Sequence, residues 1–182
     1  MNIVVLLAAG ESSRATGLKQ LYKVEGEYLI NRQIEQILSY GYEVVVVLGY
    51  ASQKITSCIN RDVKTIENPN YQEGMFSSVK RAFELLDSKR LIFCHIDRPL
   101  AKKELFEKLL KTESPIATAS YQGKNAPPIM IQYSMKEVLL ASKATRLDWW
   151  IESTKKVVRI ASDDARLLHN ANTDEALRRY FA

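Results

Sequence analysis

The sequence predicts a single-domain α/β fold: a three-layer sandwich of helices around a mostly parallel sheet. Three observations lead there. Short apolar runs alternate with segments of helical spacing along the chain. The central runs, residues 3–7 and 44–47, are continuously apolar rather than alternating, as strands covered on both faces are. At 182 residues, with 46% hydrophobic and 26% charged content, the chain supports one buried core, so the domain is taken to span residues 1–182. The expected arrangement is Rossmann-like.

Each element follows from its residues. After the first strand, Ile30, Ile34, Ile37 and Leu38 fall at helical spacing, which predicts a helix over 28–40 stopped at Gly41. The β-branched run centred on Val44–Val47 gives a second strand, residues 51–60 a short helix, and 63–67 a third strand ended by Asn68-Pro69. Residues 69–74 read as a loop, and 76–86 as a helix with Val79, Ala82, Phe83 and Leu86 on one face. Next come a fourth strand over 90–95, a helix over 102–111 and a strand over 115–120. The remainder is less regular: a loop over 122–128, a short strand over 129–131, helices over 135–141 and 146–152, and a strand over 156–160. A terminal helix over 173–181 is capped by Thr173, with Asp174 and Glu175 in its first turn. Tandem β-α-β units predict parallel strands joined by right-handed crossovers.

Composition excludes several function classes. The net charge of +5 suits an anionic ligand, but the basic residues are dispersed with no aromatic-interleaved Lys/Arg tract, which argues against nucleic acid as a partner. Cys58 and Cys94 lie far apart outside any C-x-x-C pattern, so neither a disulfide framework nor a zinc site is expected, and a reducing cytoplasm fits. The first apolar run is too short to span a membrane and lacks the flanks of a signal peptide. His95 and His169 stand in no Ser-His-acid or H-E-x-x-H pattern and receive no role.

The chemistry begins where the first strand ends. Ala8, Ala9 and Gly10 are small enough for backbone N–H groups to approach a ligand, and Ser12, Arg14 and Lys19 follow within one loop. A strand that breaks into a loop with hydroxyls, an arginine and a lysine is the sequence form of a phosphate site. It is neither a P-loop, since Lys19 is followed by Gln20, nor a dinucleotide G-x-G-x-x-G. A second station, Asn68-Pro69 through Gly74 to Ser78, opens a helix with a glycine and paired serines able to present donors to a ligand. A third is Asp97, just beyond an apolar strand, where a carboxylate enters the crevice of an open α/β sheet and can hold Mg²⁺ with several waters retained. The same residues serve ordinary ends as well, since Asn-Pro makes turns and serines and aspartates cap helices.

These stations resemble the MobA-like nucleotidyltransferases. Leu7-Ala8-Ala9-Gly10, Ser12, Arg14 and Lys19 match the opening L-A-A-G-x-S-x-R-M-G-x-x-K pattern, with Ala15-Thr16-Gly17 placing the glycine one residue late. Asn68, Pro69, Gly74, Met75 and Ser78 match N-P-x(4)-G-M-x-x-S of the cytidylyltransferase branch, and Asp97-Arg98-Pro99 matches D-x-P, with Arg98 where Gln or Met is commoner. Asn170 to Leu177 is similar to N-x-N-T-P-E-D-L. The segment from Gly123 to Ile129 resembles an acceptor loop, and Ala144 to Asp148 stands where the family has G-D-x-G-x-R, without its glycines.

The resemblance implies the nucleotide-diphospho-sugar transferase type of sandwich and a Mg²⁺-dependent transfer of a nucleoside monophosphate, CMP favoured over GMP, from an NTP to the phosphate of a molybdopterin-type acceptor, with release of pyrophosphate. It implies nucleotide contacts at Leu7, Ala8, Ala9, Gly10, Ser12, Arg14, Lys19, Asn68, Gly74 and Ser78, catalytic roles for Arg14, Lys19 and Asp97, and metal ligation by Asp97 and Asn172. A molybdoenzyme or its chaperone would be the downstream partner; neither nucleic acid nor membrane is expected. Ala9 together with Lys19-Gln20-Leu21 leans to cytidine. The rival readings are a guanylyltransferase, a sugar-phosphate nucleotidyltransferase, a non-catalytic nucleotide- or cofactor-binding module, and a purely structural interaction domain.

Overall fold

The computed structural model describes residues 2–12 and 15–181. In chain order the strands are β1 (Asn2–Leu7), β2 (Lys23–Val24), β3 (Glu27–Tyr28), β4 (Glu43–Leu48), β5 (Lys64–Glu67), β6 (Arg90–His95), β7 (Ile116–Tyr121), β8 (Lys124–Gln132) and β9 (Val157–Ala161). The helices are α1 (Leu29–Ser39), α2 (Ser52–Thr56), α3 (Met75–Leu85), α4 (Lys103–Lys111), α5 (Lys136–Ala141), α6 (Leu147–Thr154) and α7 (Asp174–Phe181). The main sheet has seven strands in the order β5-β4-β1-β6-β8-β7-β9. It is parallel except at β8, which runs antiparallel to both β6 and β7, so the expected mostly parallel α/β sandwich is the fold.

The continuous apolar runs behave as strands buried on both faces. Along β1, Val4 and Leu6 join one core cluster with Ile30, Ile34 and Ile37 of α1 and Phe106 of α4. Ile3, Val5 and Leu7 join the opposite cluster with Phe76, Val79 and Phe83 of α3 and Trp150 of α6. A strand's two-residue period thus fills both layers from one uninterrupted run. The sheet grows outward from β1 in both directions, through β4 to β5 on one side and to β6 on the other. The order therefore reverses beside β1, and the crevice above the carboxyl ends of β1 and β6 is where a ligand of such a sheet binds.

The expected loop over 122–128 is a correction. Tyr121 pairs with Lys124 around a two-residue turn in which Gln122 (φ 48°) and Gly123 (φ 77°) are both left-handed, which is the tight hairpin geometry. The β8 strand then continues to Gln132. Its register jumps from Ala119↔Ala126 to Thr118↔Ile129, so Pro127 and Pro128 fall in a bulge where no ladder bond is asked of their missing N–H groups. Two consecutive prolines are a loop signal in sequence, and the bulge is what reconciles them with a strand. The small β2–β3 hairpin was not anticipated either: it is only two residue pairs long.

Elsewhere the expected elements stand, with ends shifted by a few residues. At the terminal helix the Thr173 hydroxyl accepts the Ala176 N–H at 3.2 Å, as its capping role requires.

Candidate active site

Three chain segments meet above β1 and β6. Ala8 N–H donates to the Val47 carbonyl at 2.9 Å, which carries β1 one residue past its end. The Ala9 carbonyl then accepts the Tyr50 N–H at 3.1 Å. The returning loop is held from beneath by Gln20, fully buried, whose amide nitrogen donates to the carbonyls of Ala8 (2.7 Å) and Gly10 (3.1 Å). Its carbonyl oxygen accepts the Ser12 hydroxyl at 3.3 Å, while Ser12 Oγ accepts the Lys19 N–H at 3.0 Å. Ser12 itself is left-handed, at φ 58°.

This bracing aims the Lys19 side chain. Its Nζ donates to Asp97 Oδ2 at 3.0 Å and to Asn172 Oδ1 at 2.7 Å. The Lys19 and Asp97 side chains are only 11% and 20% exposed, so the pair is largely withdrawn from solvent. Asp97 follows β6 in a turn fixed by Ile96 N–H on the Leu7 carbonyl (3.1 Å), and the Asp97 carbonyl accepts the Ala171 N–H at 2.8 Å. That last bond delivers the segment before α7, and Asn172 with it, to the same point. Asp174 fastens the other end by accepting the Thr16 N–H at 3.1 Å.

A cavity of about 330 Å³ opens beside this cluster. Of the residues singled out in the sequence, Leu7, Ala9, Gly10, Lys19, Gly74, Ser78 and Asp97 line it. Ala8, Ser12 and Asn68 do not line it. Asn68, 2% exposed, donates to the hydroxyls of Ser77 (2.8 Å) and Ser78 (3.0 Å) and so fixes the start of α3 rather than facing the cavity. Asn172 reaches the cluster through Lys19, while Asn170 is the asparagine on the cavity wall. Arg14 lies outside the described residues.

Several participants were not singled out from sequence. Gly49 packs so tightly that a Cβ there would stand 2.5 Å from Tyr71 Cβ and 2.9 Å from the Ala9 carbonyl, which joins the first loop to Tyr71 on the cavity wall. His95, given no role above, lines the cavity together with Arg98. Burial, reinforced by the Arg98 and Lys19 cations and opposed by the Asp97 carboxylate, holds His95 down at about 4, so its imidazole is neutral at pH 7. His169, by contrast, stacks on Tyr180 with ring centres 4.0 Å apart.

A second cavity, of about 590 Å³, adjoins the first and shares Gly74, Met75, His95 and Arg98 with it. Gly74 enters α3 at φ 95° and ψ 178°, a conformation that only glycine adopts without strain. The far walls come from Asn125, Ala126, Pro127 and Ile129 of the β8 bulge and from Thr145 to Asp148 and Ile151 around α6. The bulge thus places the residues of the acceptor-like loop against the candidate site.

Two oxygen donors, Asp97 Oδ2 and Asn172 Oδ1, converge on one point that already holds a cation, the Lys19 ammonium. That donor set suits Mg²⁺, a hard ion that binds through one or two protein oxygens and keeps waters. Among the described residues no group of three or more His, Cys, Asp or Glu side chains forms a metal site of another kind.

Residues 4–159 match the MobA-like NTP transferase domain. The chain belongs to that family. Among curated MobA-like relatives it is 25% identical over 131 residues to the molybdenum cofactor cytidylyltransferase of Escherichia coli K12, covering 70% of this chain and 68% of that one. Solved structures share the fold. A nucleotidyl transferase from Methanothermobacter superposes with a TM-score of 0.85 at 16% identity, over 100% of this chain and 96% of the other. Molybdopterin-guanine dinucleotide biosynthesis protein A from Archaeoglobus fulgidus gives 0.78 at 18% identity, over 100% and 97%. Among the described residues no helix is long and apolar enough to cross a membrane.

Proposed function

We propose that this MobA-like nucleotidyltransferase transfers CMP from CTP to the phosphate of a molybdopterin-type acceptor in a Mg²⁺-dependent reaction. The observation that carries the reading is the convergence of Lys19 with Asp97 and Asn172 above the carboxyl ends of β1 and β6. In this reading the triphosphate lies in the smaller cavity along the Leu7–Gly10 backbone. An acceptor phosphate oxygen attacks the α-phosphorus as the bond to the β-phosphate bridging oxygen breaks, and pyrophosphate leaves with the electron pair. No protein nucleophile is required.

The chain's own residues then supply position and charge. Lys19, released from Asp97 and Asn172, neutralises the oxygens of the departing pyrophosphate, and Arg14 assists from the same loop. Gln20 and Ser12 keep the loop in the shape that the triphosphate meets. Asp97 and Asn172 would hold Mg²⁺, which when bound supplies further neutralisation of phosphate charge. Ala9 supports the choice of base: its methyl group, on the cavity wall and 7% exposed, narrows the space that a purine needs. One methyl group discriminates by about 1–3 kcal/mol, so other nucleotides are turned over at reduced rates.

Binding and turnover test the reading separately. Calorimetry with CTP, GTP, ATP and UTP, with and without Mg²⁺, should show CTP tightest and Mg²⁺ strengthening it. With the molybdenum cofactor as acceptor, kcat/KM for CTP should exceed that for GTP, and Ala9→Gly should narrow the ratio. A preference of the wild type for GTP would overturn the cytidine assignment.

A further inference from the structure

We propose that Arg98 is the seat of the acceptor's phosphate and the residue by which this chain selects a phosphate monoester. The inference rests on the nucleotidyltransferase reading above and names the residue and the acceptor chemistry. Among the described residues only Gly74, Met75, His95 and Arg98 line both cavities, and Arg98 is the one cation among those four. A group bound there stands at the boundary where an acceptor oxygen must meet the nucleotide.

The charges nearby single it out further. Lys19 is engaged by Asp97 and Asn172, and Arg146, on the far wall, is neutralised by a bidentate pair with Asp148 at 3.0 and 2.8 Å. Among the described residues no carboxylate makes an ion pair with Arg98. One of its terminal nitrogens, Nη1, donates to the Leu167 carbonyl at 3.1 Å, which orients the guanidinium. Among the described residues its Nε is buried with no partner, as are His95 Nε2 and, elsewhere, Arg90 Nε. A guanidinium on a cavity wall with no ion-pair partner suits a phosphate monoester, which brings three acceptor oxygens and up to two charges. The larger cavity that Arg98 also lines has mixed walls, with Phe76, Leu147 and Ile151 beside Asn125, Arg146 and Asp148.

The test uses the full chain and 1-naphthyl phosphate as probe, titrated by calorimetry onto protein already saturated with Mg²⁺ and α,β-methylene-CTP. Binding of that nucleotide analogue is read first: if it does not bind, the nucleotide reading fails by itself, and the probe is then titrated onto the free protein. Expected is binding of 1-naphthyl phosphate but not of 1-naphthol, a loss of about tenfold or more in Arg98→Gln, and a partial recovery in Arg98→Lys, which keeps the charge without the fork. The analogue's own affinity should change several-fold less than the probe's. 1-Naphthoate binding as tightly as the phosphate would show a carboxylate seat and overturn the monoester assignment. Equal binding of 1-naphthol, or Arg98→Gln binding the phosphate as the wild type does, would overturn the role of Arg98. Should Arg98→Gln unfold for want of the Leu167 contact, the phosphate-to-naphthol ratio in wild type and Arg98→Lys still decides.

Discussion

The Lys19 ammonium stands 3.0 Å from the Asp97 carboxylate and shares the same point with the Asn172 amide oxygen at 2.7 Å. One side chain from the loop after β1 is thereby tied to one from the turn after β6 and one from the approach to α7. Lys19→Met removes the cation and leaves a mostly buried carboxylate without its partner. Its melting temperature should fall, and NTP affinity should weaken by about 1.5–3 kcal/mol, the worth of a charged hydrogen bond. Mg²⁺ should then raise the melting temperature of the variant more than that of the wild type, because the two oxygens are free to take it. Differential scanning fluorimetry with and without Mg²⁺, and with EDTA, checks this; an Mg²⁺ effect identical in both proteins would contradict it.

Gly49 is tightly packed beside the site, and Gly49→Ala tests it. A methyl group there meets Tyr71 Cβ and the Ala9 carbonyl, backbone-bound atoms that cannot swing aside. The variant should lose about 1–3 kcal/mol of stability, as overpacked positions do, and lose CTP affinity as well, since both neighbours shape the cavity. Denaturant melts combined with CTP titration read the two effects.

Gln20→Leu keeps the volume and removes the amide. The Ala8 and Gly10 carbonyls then lose their donor and the Ser12 hydroxyl its acceptor. The expected cost is about 1–3 kcal/mol for the unsatisfied groups, with a rise in the KM for NTP because the loop is no longer braced. A variant with wild-type stability and KM would show that the loop holds its shape by other means.

The two cysteines should differ in reactivity. Cys94, 2% exposed within β6, has its thiol pushed well above the ordinary range by burial, so the nucleophilic thiolate is scarce at pH 8. Half-buried Cys58 lies just beyond α2. Iodoacetamide followed by peptide mass spectrometry should label Cys58 alone in the folded protein and both in urea.

Much of the fold was legible because the central strands are buried on both faces, so that β1, β4 and β6 each appear as unbroken apolar runs with recognisable ends. The β7–β8 hairpin was not, since Pro127-Pro128 signals a loop and only the bulge opposite them lets a strand continue. In the site, the loop after β1 and Asp97 after β6 could be found because strand ends advertise themselves in sequence. The places that Gln20, Gly49, His95 and Arg98 take in it could not: a carbonyl 12 residues away, a tyrosine across the sheet and a boundary between two cavities exist only after folding. Asn68 was read as a nucleotide contact, and the structure adds that its amide nitrogen donates to the serines of α3. Next to Gly17, the Thr16 N–H donates to the Asp174 carboxylate, joining the loop to α7.

In the proposed function, nucleotidyl transfer takes place in the cavity above the carboxyl ends of β1 and β6 through Lys19 and Asp97. Pyrophosphate release from CTP and Mg²⁺ in the presence of the molybdenum cofactor, compared between the wild type and Asp97→Asn, tests it most directly. The account predicts release by the wild type and a loss of about 10²-fold or more in Asp97→Asn, the scale on which a positioned charge acts in a transition state. Release at the wild-type rate by Asp97→Asn, with its fold intact, would contradict it.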